Sequence, residues 1–240
     1  MTTCTAELDH VSRLHPALCA RSVDADTQGL FLHLAEQQAL LTADQLYRRQ
    51  SELFGPQGIF AEFSAQVSRE GRQARVFEDI AQIKDPRRVM EIDAAVDFAL
   101  SVHHRRDPAA NPFHAHSRES LCCVVYDESN AFTFVERYAA YEAIRLMDSD
   151  FFIKLIATTR GVVERRIVFH GLLEHFDRLL PVEKSIYPAN YREVQQGHLN
   201  REEAIYGRLQ LEKPLNELLG EVSPTLLLER VQGLANWEEA

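Results

Sequence analysis

Between Gly58 and Val67 the chain alternates in chemistry: Ile59, Ala61, Phe63, Ala65 and Val67 are apolar, and Glu62, Ser64 and Gln66 stand between them. Successive strand residues face opposite sides of a sheet, so this spacing predicts a half-buried strand. A helix reading and a strand reading of the same stretch place different residues in the core, so the choice between them constrains the fold of the whole chain. Ser68 to Gly71 reads as the turn that ends the strand.

The period around it is helical. Leu30, Phe31, Leu34 and Leu41 predict a first helix, with Asp24 or Asp26 as its cap. Thr42 and Gln45 form a capping-box pattern ahead of Leu46, Tyr47, Leu53 and Phe54, and Gly55-Pro56 breaks the second helix. After the strand, Val76, Phe77, Ile80 and Ile83 return to helical spacing. Pro86 suits a first helical position, and Val89, Ile92, Ala95, Val96, Ala99 and Leu100 then stripe a helix ending near His103-His104. The stretch through Pro108, Asn111 and Pro112 is a loop.

Two β-type runs come next, 121–126 and 132–138, with Asp127-Glu128-Ser129-Asn130 as a connection of hairpin length. Residues 139–159 are helical, and RRIVFHGLL (165–173) is a last strand rich in branched and aromatic residues. The tail contains short helices around 202–211 and 225–234, separated by Pro214, Gly220 and Pro224. The order strand, helix, strand, strand, helix, strand predicts an α+β fold: a ferredoxin-like four-stranded antiparallel sheet with helices on one face. The expected organisation is a helical extension over 1–55, the sheet domain over 56–180 and a helical tail over 181–240. The bare sheet face needs cover. A second copy packed sheet to sheet predicts a homodimer; the helical ends over the same face would leave a monomer.

The stretch FTFVERYAAYEAIRLMDSDFF resembles the third strand and following helix of the antibiotic-biosynthesis-monooxygenase family, on Glu136, Arg137, Tyr138, Glu142, Ala143, Ser149 and Phe152. AEFSAQVSREGRQARVFEDI resembles that family's first strand, turn and first helix, with Arg69-Glu70-Gly71 in the turn. The resemblance spans roughly 57–176 and implies a dimeric α/β barrel with a pocket between sheet and helices. It implies oxidation of an aromatic, polyketide- or quinol-like intermediate by oxygen without a tightly bound metal or cofactor, with diffusible reduced flavin as an option, while other members of the family bind or degrade haem or isomerise small molecules. The family's usual helix histidine falls near Met147 here, so that chemistry would need another base.

Such an oxygenase needs a base for an acidic phenol and a group to hold the resulting anion. His114, His116, His170 and Arg137 are the candidate catalytic residues, and Tyr126, Tyr138, Phe134 and Phe63 the candidate substrate contacts. Each has a plainer reading: loop histidines, a core histidine, a strand-end ion pair and core aromatics. His114-x-His116 would share a face in extended backbone, which gives a weaker alternative of haem or metal chemistry with His103 or His104 assisting. A third class is a non-catalytic ligand-binding or assembly protein, suggested by the long helical ends.

Net charge −10, with no long Lys/Arg run, argues against nucleic acid and anionic membranes as partners. No apolar run approaches the ~20 residues of a membrane span. Cys4, Cys19, Cys122 and Cys123 form no CxxC pair, and neighbours 122 and 123 would point apart in a strand. With no signal-peptide pattern at the start, the expectation is a reduced, cytoplasmic protein.

Overall fold

The computed structural model describes residues 25–158 and 165–237, and every regular element among them is helical. The chain divides into two compact units, Met1–Leu146 and Met147–Ala240. The first contains α1 (Ala25–Ala39), α2 (Ala43–Phe54), α3 (Ile59–Glu70), two 3-10 segments (Gly71–Gln73 and Arg75–Gln82), α4 (Pro86–Val102) and α5 (Arg118–Val125). The unit boundary falls inside α6 (Phe134–Ala157). The second unit continues with α7 (Arg165–Arg178), α8 (Pro181–Lys184), α9 (Tyr191–Tyr206), α10 (Leu215–Glu221) and α11 (Pro224–Trp237).

The ferredoxin-like sheet is therefore corrected: all four predicted strands are helices. In 59–67 the buried residues are Phe60, Phe63 and Val67, spaced three and four apart, while Ala65 of the apparent alternation is exposed. Ala, Glu and Gln between them are strong helix formers, and the alternation came from alanines that either period accommodates. In 121–126, Ser117 caps α5 by accepting the Ser120 N–H at 3.2 Å, and the helix packs on α1. Leu121, Cys122, Val124 and Val125 are all buried, and a short helix covered nearly all round has no readable period. The run 165–173 belongs to α7, whose buried residues include Ile167 and Gly171, one turn apart.

The third predicted strand, 132–138, is the start of α6. Thr133 is followed three residues later by Glu136, whose Oε2 accepts the Thr133 N–H and hydroxyl, each at 2.7 Å. This side-chain cap on the Thr133 backbone precedes a helix and takes the N–H a strand ladder would need. The predicted hairpin is a loop: Asp127 accepts the Ser129 N–H at 2.9 Å and the Phe132 N–H at 3.1 Å. Asn130 there adopts a left-handed φ of 59°, which its short polar side chain tolerates.

With the sheet goes the family likeness built on it. The dimeric α/β barrel, the pocket beneath a sheet, the sheet-to-sheet route to a homodimer and the antibiotic-biosynthesis and monooxygenase associations have no counterpart in the helices of the described residues.

The helical readings agree better with the structure. Thr42 and Gln45 make the expected capping box on α2. Asp85 caps α4 by accepting the Arg87 N–H at 3.0 Å, with Pro86 in the first turn. Of the two caps expected for the first helix, Asp24 lies outside the described residues and Asp26 falls within α1.

The first unit's core joins Phe60, Phe63 and Val67 of α3 to Ile92, Val96 and Ala99 of α4 and to Val135, Tyr138 and Ala139 of α6, all buried. The second unit's core is Leu155, Ile167, Leu215, Leu218, Leu219, Leu227 and Val231, with Phe151 and Phe152 against it. In this unit α7 packs on α9 and α10. A Cβ at Gly171 would meet Leu155 Cδ1 at 2.7 Å, so a larger residue there would push the Leu155 side chain aside. Among the described residues no helix is long and apolar enough to cross a membrane.

Phe63 is fully buried and stacks on Tyr138 with ring centroids 4.4 Å apart. Phe63→Ala should destabilise the chain by about 3–5 kcal/mol in urea titrations followed by far-UV circular dichroism. A loss under ~1 kcal/mol would show that this face of α3 is not core.

Candidate functional site

The first unit brings aromatic and titratable side chains of α2, α3, α4 and α6 into one region. Phe60 stacks on Tyr141 at 4.7 Å, Phe63 on Tyr138 at 4.4 Å, and Phe134 meets Phe63 edge-on at 5.4 Å. Phe54 links Tyr141 at 5.1 Å to Tyr126 at 5.9 Å. Helical spacing accounts for this: Phe134, Tyr138 and Tyr141 stand four and three residues apart on one face of α6.

The polar end of this group is the Tyr138 hydroxyl. It lies 3.3 Å from His103 Nε2 and also hydrogen-bonds the Ser64 side chain. His103 arrives there through the end of α4. His104 turns left-handed at φ 54°, Arg105 N–H closes on Leu100 O at 2.9 Å, and the Arg105 side chain donates to Ser68 O and Arg69 O. Those carbonyls end α3, so one arginine joins the C-termini of α3 and α4.

Burial pushes the Tyr138 phenol up to about 12 and raises Tyr141, so both remain protonated. Burial also pulls His103 below the ordinary imidazole value, with Glu142 opposing. Glu142 is held by Arg145 at 2.8 Å, and the Arg145 guanidinium sits 5.8 Å above the Tyr141 ring. A neutral imidazole beside a protonated phenol can accept one hydrogen bond and orient the ring.

A second polar group gathers at the start of α6. Asp79 Oδ2 accepts the Phe134 N–H at 2.7 Å, and Arg88 stands 3.5 Å from Glu136 while donating to Ala131 O. Desolvation raises the Asp79 carboxyl above its ordinary range, and the nearby Glu136 charge adds to this.

Of the residues singled out in the sequence, Tyr126, Tyr138, Phe134 and Phe63 share the aromatic group. Arg137 sends two hydrogen bonds, 3.1 and 3.0 Å, to Val125 O at the end of α5, and burial lowers its pKa. His114 is exposed, with Nδ1 2.9 Å from Asn111 O, while His116 is buried against Phe113 at 5.1 Å. Here the backbone turns, with the His114 N–H on Asn111 O and the His116 N–H on Phe113 O, so the extended His-x-His geometry is not formed. His170 lies half-buried on α7, in the second unit. Among the described residues no three His, Cys, Asp or Glu side chains are grouped to hold a metal ion.

Sequence reading singled out neither Asp79 nor Arg88, and took Ser64 only as a polar position of the expected strand. His175 Nε2 lies 3.3 Å from Asp148, and its ring packs on Phe152 at 4.7 Å. The Thr133-x-x-Glu136 pattern was the available signal for the α6 group, since it marks a helix start. Nothing local in the sequence joins Ser64 to Tyr138. No family model, curated protein or solved structure matches the chain.

His103 titrates below the ordinary imidazole value, so protonation favours the unfolded chain. Its contribution is fully present above that value and declines as pH falls through it. Thermal midpoints measured from neutral pH to about pH 5 should fall more steeply for the native chain than for His103→Gln, which keeps a partner for Tyr138 but does not titrate. Parallel curves would detach His103 from the acid response.

Proposed function

We propose that the chain is a non-catalytic helical binding module, acting through its surface and not through an enclosed reaction site. The observation carrying this reading is the packing around Tyr138. Phe63 is 0% and Tyr138 2% exposed, so the side chains expected to hold an aromatic substrate occupy one another's space. A ligand site needs concave surface with a few convergent polar groups, and stacked rings in van der Waals contact leave no such hollow between them.

The charged groups support the same reading. Glu136, Asp79, Arg137 and Arg105 each satisfy backbone groups at a helix terminus, and in the second unit Glu174 and Arg166 do likewise. A group engaged in this way is held by the fold and cannot swing to a substrate without exposing a helix end. A reducing compartment such as the cytoplasm fits the adjacent thiols on α5, where burial pushes Cys123 up to about 12 and makes it a poor nucleophile.

The test is direct. Purified chain should consume no oxygen with an electron-rich polycyclic phenol, with or without reduced flavin, and should show no visible absorbance band. Oxygen uptake that disappears in Tyr138→Phe at unchanged thermal midpoint would overturn the reading.

A further inference from the structure

Arg75–Gln82 runs as eight residues of 3-10 helix between extended Ala74 and extended Ile83. Hydrogen bonds of this helix type are poorly aligned, and runs beyond about four residues are uncommon. None of the eight residues is buried. The segment packs on α3, where Phe77 meets Phe63 edge-on at 5.8 Å. It is tied to α6 by Asp79, whose Oδ2 accepts the Phe134 N–H at 2.7 Å. A strained, half-buried segment held at its middle by one carboxylate depends on the state of that carboxylate.

Two carboxylates share this helix start. Glu136 holds the Thr133 N–H, and Asp79 holds the next amide along the chain. The cation nearby, Arg88 of α4, stands 3.5 Å from Glu136 and donates to Ala131 O. Asp79 Oδ1 is buried and meets no hydrogen-bond donor among the described residues. From α3 the segment meets the Phe63 ring, and its own Arg75 and Glu78 are exposed. Two carboxylates at one site repel when both are ionised, and one of them then favours its proton. Glu136 has the Thr133 donors and the arginine, so the proton falls to Asp79. Desolvation, and after it the Glu136 charge, raise the Asp79 carboxyl accordingly, against the pull of the Phe134 N–H. A neutral carboxyl still accepts that N–H through its carbonyl oxygen, so protonation relieves the repulsion and keeps the bond.

We propose that Arg75–Gln82 is a proton-controlled strap, closed on α3 and α6 in mild acid and loosened toward neutral pH. Opening turns the chain about Ala74 and Ile83, carries Phe77 off Phe63 and returns Asp79 to water. A carboxyl raised in the closed form binds its proton more tightly there than in the open form. Closure is therefore favoured in acid, and that gain is lost as pH rises through the raised value. The sign is opposite to that of His103, whose contribution declines in acid. The strap is a property of the first unit alone and stands apart from the binding-module reading.

Hydrogen exchange of the full chain tests it, read by mass spectrometry on peptides covering 75–82 and corrected for the intrinsic effect of pH on amide exchange. Protection is taken in ratio to α4, so that effects on the whole unit cancel. In the native chain this ratio should fall several-fold between about pH 4.5 and neutral. Asp79→Asn keeps an acceptor for the Phe134 N–H and carries no charge, so its strap should stay protected across the range. A native ratio that is flat with pH, or an Asp79→Asn ratio that falls with the native one, overturns the strap. Should Asp79→Asn fail to fold, the native profile decides alone. Oxygen turnover would sink the binding-module reading and leave this result untouched.

Discussion

The buried carboxylate of Glu136 is the interaction on which the first unit depends. It is 1% exposed and carries a charge that burial makes costly unless hydrogen bonds and an opposite charge surround it. Thr133 supplies two donors at 2.7 Å, and Arg88 stands 3.5 Å away on α4. The positive end of the α6 dipole lies in the same place. Asp79 adds a second carboxylate, on the Phe134 N–H, and brings the Arg75–Gln82 segment with it. Three separate parts of the chain are thus fixed at one helix start. Truncating Glu136 would leave half-buried Arg88 without its counter-charge and the Thr133 N–H and hydroxyl without their acceptor, and breaking a buried pair of this kind costs about 3 kcal/mol or more.

Fixing that start also fixes the faces of α6. With Phe134 anchored, Tyr138 and Tyr141 fall at helical spacing onto Phe63 and Phe60. The aromatic core and the charged cap are therefore one construction: the cap sets the rotation of the helix, and the rings fill the volume that rotation defines. The Asp79 carboxyl shows the tension in the arrangement, because desolvation and Glu136 both press it towards its neutral form while the Phe134 N–H holds the charge.

Helix starts were legible in the sequence where Thr42 and Asp85 marked them. Thr42-Gln45 and Asp85-Pro86 each announced a helix that is present. Thr133-x-x-Glu136 carries the same signal, but it sits within Phe132–Tyr138, where β-branched and aromatic residues suggest a strand. The decisive residues in 59–67 are Phe60, which breaks the alternation, and Ala65, which completes it yet is exposed. Small residues satisfy either period, so the large ones should carry the weight: Phe60, Phe63 and Val67 read as a helix face. Within the candidate site, the nearness of Phe134 and Tyr138 comes from spacing along one helix. The pairing of His103 with Tyr138 depends on how α4 ends and where Arg105 docks, a long-range outcome that no local pattern encodes.

The second unit repeats the use of charge at helix termini. Glu174 of α7 accepts the Leu215 and Asn216 N–H groups that begin α10, at 2.7 and 3.0 Å, while Arg166 of the same helix donates to Tyr206 O and Gly207 O where α9 ends, at 2.6 and 3.0 Å. A carboxylate meets the positive end of one helix and a guanidinium the negative end of another, as the macrodipole favours. A helical chain with many short elements has many such ends, and each leaves backbone groups that need partners. Interior charge in this protein therefore answers to topology before chemistry.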